Sequence, residues 1–144
     1  MSNGSALLVT HEPLEARMAG PAIRAWHLAQ ELARVRPVIL ATPAIRGLQS
    51  PHPAVTLVAY DPSNGAPLTE LTRQSAVIIT SGYLLRRYPA LARAGLPLAI
   101  DLYDPFVLEN LQIHSTKSTD SQVAIHQSDL GVLEEQLRRG DFFG

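Results

Sequence analysis

Two short stretches carry residue types that could do chemistry. The first is Asp101-Leu102-Tyr103-Asp104-Pro105, where two carboxylates close an apolar run. Carboxylates in that position can accept hydrogen bonds from hydroxyls or act as a general base, which makes Asp101 and Asp104 the candidate catalytic residues. Asp104 also fits a plain role, as an acidic N-cap followed by a proline in the first helical turn. Asp101 is a charge at the end of an apolar strand. Either it serves a ligand, or a basic partner such as Arg17 or Arg24 neutralises it. The second stretch is His11-Glu12-Pro13-Leu14-Glu15-Ala16-Arg17-Met18-Ala19-Gly20-Pro21, a long loop that feeds a helix. Free N–H groups at a helix start favour an anion, and Gly20 would let one approach the backbone. A plain strand-to-helix turn accounts for the same residues. In a third segment, Thr80-Ser81-Gly82-Tyr83, Ser81 and Gly82 could border a pocket, and a helix-entry turn explains them equally well.

Several chemistries lack their signatures. There is no G-x-G-x-x-G dinucleotide fingerprint, no phosphate-binding G-x-x-x-x-G-K-[ST] and no G-x-S-x-G elbow. The histidines, His11, His27, His52, His114 and His126, show no metal-ligand spacing, so neither a metal nor a bound cofactor is expected. Cysteine is absent, which removes disulfides and thiolate metal sites.

The elements that must position these stretches follow from short aliphatic runs. Ala6–Thr10, Val38–Thr42, Val55–Tyr60, Ala76–Thr80 and Leu98–Leu102 do not alternate with polar residues. That suits strands covered on both faces, as in a parallel sheet. A helix is expected over Ala22–Val35, opened by Gly20-Pro21, with Ala25, Leu28, Ala29 and Leu32 on one buried stripe. Leu68–Ser75 and Tyr83–Ala94 read as further helices, the latter broken near Pro89 and ended by Gly95. Pro43–Ala54 reads as an exposed connection, and Ser115–Ser121 as a loose polar stretch. Val123–Arg139 reads as a helix with Leu130, Leu133 and Leu137 inward and Gly140 as its cap. Phe142-Phe143 looks like the opening of a sixth strand. The whole is an α/β fold: one doubly wound, mainly parallel Rossmann-like sheet flanked by helices over residues 1–144. Ligands of such sheets sit beyond the carboxyl ends of the strands.

Composition fits this. The 144 residues are 46% hydrophobic and 17% charged, with a formal net charge of −1. That is a globular chain without the basic balance of a dedicated nucleic-acid binder. No signal-peptide pattern opens it, and no apolar run approaches the about 20 residues that span a bilayer. A cytoplasmic location is expected.

The run Arg17-Met18-Ala19-Gly20-Pro21-Ala22-Ile23-Arg24-Ala25-Trp26-His27-Leu28-Ala29-Gln30-Glu31-Leu32-Ala33 resembles the first loop and helix of retaining GT-B glycosyltransferases of the group 1, or GT4-like, family. The run from Asp101 to Asn110 resembles a later segment of the same family. Such enzymes have two Rossmann-like domains facing a cleft. The amino-terminal one mainly binds the acceptor; the carboxyl-terminal one binds the nucleotide-sugar donor and carries a paired-glutamate motif.

The resemblance implies that this chain is the acceptor-side half of a longer enzyme. Its donor half would be missing, and the half alone would be inactive. It implies that Ala19, Gly20, Pro21 and Arg24 approach donor phosphates and acceptor; His11, Ser81, Gly82 and Tyr103 join them as candidates by their place at strand ends. Nucleotide-sugar and acceptor are then the partners, and peripheral contact with the inner face of a membrane is open. Copies of the chain are expected to associate through the exposed face between domains. The family often has two adjacent glycines in the first loop and a histidine past strand five. Here stand Gly20-Pro21 and Asp101-Leu102-Tyr103-Asp104, so no base is assigned.

Two other classes share the fold pattern. A stand-alone binding or regulatory module, such as a receiver, would use Asp61 as phosphoacceptor near His11 and Glu12. A nicotinamide- or methyl-donor enzyme would need the glycine fingerprint that is absent.

Overall fold

The structure is a computed structural model that describes residues 4–81, 83–102 and 106–143. In chain order the elements are β1 (Ser5–Val9), β2 (Leu14–Glu15), α1 (Gly20–Leu32), β3 (Val38–Thr42), β4 (Ile45–Arg46), β5 (Val55–Ala59), α2 (Ala66–Arg73) and β6 (Ser75–Thr80). They continue with α3 (Leu84–Arg87), α4 (Pro89–Arg93), β7 (Leu98–Ile100), α5 (Phe106–Ile113), α6 (Thr119–Arg139) and β8 (Phe142–Phe143).

Six strands form one sheet in the order β5-β3-β1-β6-β7-β8. Every neighbouring pair is parallel. Connections from β1 lead towards β5, and those from β6 lead towards β8. The direction reverses between β1 and β6, which is where such sheets open a crevice at their carboxyl edge.

Side chains alternate across each strand, so both faces bury apolar residues. Leu7, Val9, Ile39, Ile78, Leu98 and Ile100 pack on one face with Leu68, Leu84, Leu85 and Leu91. Ala6, Leu8, Val38 and Leu40 pack on the other, against Ala22, Ala25, Ala29 and Ala33. Alanine at those helical spacings lets α1 lie close to the strands. Pro21 opens α1, where its missing N–H costs little.

The α3–α4 pair is a helix broken where the sequence expects it. Pro89 cannot donate to the preceding turn, and Tyr88 leaves the helical conformation before it (φ −127°, ψ 77°). Gly95 follows with φ +72°, the left-handed conformation common after a helix end. Gly140 caps α6 with an extended backbone instead, its N–H donating to the Gln136 carbonyl at 2.8 Å.

Three expectations are corrected. Leu130 and Leu137 do not point inward; they are 44% and 53% exposed. The inner face of α6 is Asp129, Val132 and Gln136, because the Asp129 carboxylate is bound by Tyr83 and Asn110. That polar anchor rotates the leucine stripe towards solvent. The segment after Pro43 is also not all connection. Ile45 and Arg46 pair in parallel with Leu14 and Glu15, forming a second, two-stranded sheet. Finally, Ser118 caps α6 by accepting the Ser121 N–H, so the helix starts four residues before Val123, inside the stretch read as loose.

The expected sixth strand is present. Phe142 and Phe143 pair with Ala99 and Ile100. Asp141 leads them in: its N–H donates to the Leu98 carbonyl at 2.7 Å, and its carboxylate accepts the Leu98 N–H at 2.9 Å.

Candidate functional site

A narrow crevice lies between β1 and β6 at the carboxyl edge of the sheet. Thr10, Pro21, Arg24, Thr80, Ser81 and Asp101 are among its walls. They come from four places in the winding. Thr10 follows β1, Thr80 ends β6 and Ser81 follows it, Asp101 follows β7, and Pro21 and Arg24 belong to the first turns of α1.

Arg24 and Asp101 meet across this crevice. The guanidinium donates Nε to one carboxylate oxygen at 2.6 Å and Nη2 to the other at 3.0 Å. This two-pronged geometry is the one arginine makes best with a carboxylate. Asp101 is the more sheltered partner, with 13% of its side chain exposed against 45% for Arg24. Of the two partners the sequence allows Asp101, the structure has Arg24; Arg17 is not in the pair.

Behind the pair the crevice has about 20 Å³ of free space, room for about one water molecule. The Thr80 hydroxyl is buried there and finds no hydrogen-bond partner among the described residues. An unsatisfied buried hydroxyl costs roughly 1–3 kcal/mol. In front of the pair a groove of about 500 Å³ runs along α1 past Gly20, Ile23, His27 and Leu28. Arg24 borders both spaces.

The start of α1 is open. Its N-cap is Ala19, which has no side chain to bond the first N–H groups, and no acidic residue occupies the first turn. The unsatisfied donors and the helix dipole favour negative charge here. Ala19 and Gly20 are both exposed. A methyl group added at Gly20 would meet nothing within 4 Å.

Of the sequence-based candidates, Pro21, Arg24, Ser81 and Asp101 come together at the crevice, with Ala19 and Gly20 at its rim. His11 is exposed and lies 3.5 Å from the Glu12 carboxylate, away from the crevice walls. Gly82, Tyr103 and Asp104 lie outside the described residues. Sequence reasoning missed Thr80. The strand-edge rule directs attention to residues after a strand, whereas Thr80 is the last residue within one. Its polar end to an aliphatic run was the available signal.

Asp61, the alternative phosphoacceptor, follows β5 at the outer edge of the sheet. Its carboxylate accepts the Ser63 N–H at 2.9 Å and the Ser63 hydroxyl at 2.7 Å. The Ser63 hydroxyl is the main reason its pKa lies below the usual carboxylate value.

Fold and crevice together define an α/β protein of the doubly wound, Rossmann-like class. No protein-family model matches the chain, and no curated protein matches it in sequence. Among the described residues no helix is long and apolar enough to cross a membrane. Among the same residues no three His, Asp or Glu side chains gather as a metal site requires.

Proposed function

We propose that this chain is the acceptor-binding, amino-terminal domain of a GT-B glycosyltransferase, which moves a sugar from a nucleotide-sugar to an acceptor. The observation that carries the reading is the place of the Arg17–Ala33 segment. Its glycine-proline turn opens α1 uncapped at the switch point of a parallel sheet, and its arginine spans the crevice there. Donor binding belongs to a second domain outside these 144 residues.

The chemistry of such a transfer is electrostatic. A nucleoside diphosphate departs, negative charge grows on its phosphates, and positioned N–H groups and a guanidinium stabilise it. Closure of two domains keeps out the water that would hydrolyse the donor. The exposed start of α1 is the part of this chain suited to face that charge. Association between copies, with Phe142 among the most exposed apolar side chains at 62%, belongs to the same reading.

A stand-alone binding module is the second reading, because the groove along α1 alone could serve a small ligand. Its receiver version is disfavoured by topology. Receivers wind in the order 2-1-3-4-5 with the third strand internal. Here the third long strand is the edge, and Asp61 is engaged by Ser63.

The test is an NMR titration of the 144-residue protein with mono- and disaccharides, nucleotide-sugars, NADH and S-adenosylmethionine. Saccharide-induced shifts at Thr10, Gly20, Ser81 and Asp101, with only weak nucleotide-sugar binding, are expected. Tight binding of NADH or S-adenosylmethionine would overturn the reading.

A further inference from the structure

We infer that Asp101 is a built-in competitor for the anion site at the start of α1: it occupies Arg24 until a phosphate-bearing ligand takes its place. For the owner of that phosphate the inference rests on the reading above.

Three observations meet at one point. The first turn of α1 has neither a capping side chain nor an acidic residue, so the Gly20 and Ala22 N–H groups have no side-chain acceptor. One turn further, the only group bidentate on Arg24 among the described residues is the Asp101 carboxylate. A carboxylate and a phosphate present the same pair of oxygens to a guanidinium fork, so one can replace the other without moving the arginine. Behind the pair lies Thr80, whose hydroxyl is buried and unpartnered in the closed crevice. A hydroxyl can donate to an anion oxygen, and Thr80 faces the space that opens when Asp101 lets go.

The arrangement divides a wide groove from a water-sized space, and Arg24 and Leu28 are the common wall. An anion arriving along the groove meets the exposed side of Arg24 and the first turn of α1 together. It must displace Asp101 to gain both prongs of the fork. Affinity for the anion is thereby lowered by the strength of the internal pair.

The experiment is calorimetric titration with inorganic pyrophosphate of the wild-type protein, Asp101→Asn and Glu70→Gln. The last variant makes the same charge change on α2, outside the groove, and frees Arg73, whose exposed pair with Glu70 is 2.7 Å long. Asp101→Asn should bind pyrophosphate about tenfold more tightly than wild type, or about 1.4 kcal/mol. Glu70→Gln should not. The gain should vanish in Arg24→Gln/Asp101→Asn and shrink in Thr80→Val/Asp101→Asn. Asp101→Ser repeats the test should Asp101→Asn fold poorly.

Equal or weaker binding by both Asp101 variants overturns the inference, as does an equal gain from Glu70→Gln. Parallel titrations with uridine diphosphate and glucose 1-phosphate tell a nucleotide source from a sugar-phosphate source. Saccharide binding without a gain at Asp101→Asn sinks this inference and spares the transferase reading. A gain at Asp101→Asn without saccharide binding does the reverse.

Discussion

The hydroxyl of Tyr60 donates to the carbonyl of Thr10 at 2.8 Å, fifty residues away in sequence. It ties the exit of edge strand β5 to the exit of β1, over the intervening β3. The ring is buried and packs edge-on against Tyr88, with centroids 5.6 Å apart. Tyr60→Phe keeps the ring and removes the bond. It should lower unfolding free energy by about 1–2 kcal/mol in urea titrations.

The same burial gives a pH dependence. Burial pushes the Tyr60 hydroxyl pKa well above its ordinary value of 10.0, and burial followed by the Asp129 hydrogen bond pushes Tyr83 up to about 12. Both groups are held protonated in the folded state while the unfolded chain ionises. Their stabilisation is therefore complete below about pH 10 and is lost as pH rises past it. Urea midpoints measured between pH 8 and pH 11.5 should fall above pH 10. The fall should be shallower in Tyr60→Phe and in Tyr83→Phe.

Asp129 is a buried carboxylate in the middle of α6. It accepts the Tyr83 hydroxyl, and it accepts the Asn110 amide at 2.9 Å. These bonds join α6 to α5 and to the residue preceding α3. Asp129→Ala removes the carboxylate that both donors share, leaving Asn110 its bond to the Tyr83 hydroxyl at 2.9 Å, and should cost about 2–3 kcal/mol. Amide exchange along α6 should accelerate more than exchange in β1 or β3. Uniform acceleration throughout the chain would show that α6 does not open separately.

Arg24 and Asp101 should contribute little to stability, whatever they do for ligands. The guanidinium is nearly half exposed, and partly exposed pairs are worth about 1 kcal/mol or less. A double-mutant cycle of Arg24→Gln and Asp101→Asn, read by chemical denaturation, should give a coupling in that range. A coupling several times larger would make the pair structural.

Two glycines should respond differently to alanine. At Gly65 the new methyl would sit 2.9 Å from the Tyr88 ring, which is buried and held by its hydroxyl donating to the Pro62 carbonyl at 2.7 Å. Gly65→Ala should cost about 1–3 kcal/mol through overpacking. At Gly20 the space is open, so Gly20→Ala should leave the melting temperature almost unchanged. Any loss of pyrophosphate binding in Gly20→Ala then reports on the site and not on folding.

Much of the architecture was legible in the residues themselves. Five aliphatic runs became β1, β3, β5, β6 and β7, because a strand covered on both faces needs no polar alternation. Pro89 and Gly95 marked the break and the end of their helices through backbone chemistry alone. Even Phe142-Phe143 announced the sixth strand. These features depend on local geometry and on which side chains avoid water, and both are properties of a short segment.

What the tertiary structure alone decided is which distant residues meet. Asp101 could pair with Arg17 or Arg24 on sequence grounds; the winding of β7 beside β6 and the tilt of α1 chose Arg24. The leucine stripe of α6 looked inward by periodicity, yet the Asp129 anchor turned another face to the core. The two-residue strands β2 and β4 have no periodic signature and exist only because two loops run side by side. Thr80 became notable only when the crevice closed over its hydroxyl. Each of these depends on groups brought together across tens of residues, where the sum of packing and polar satisfaction overrides the preference of any one segment.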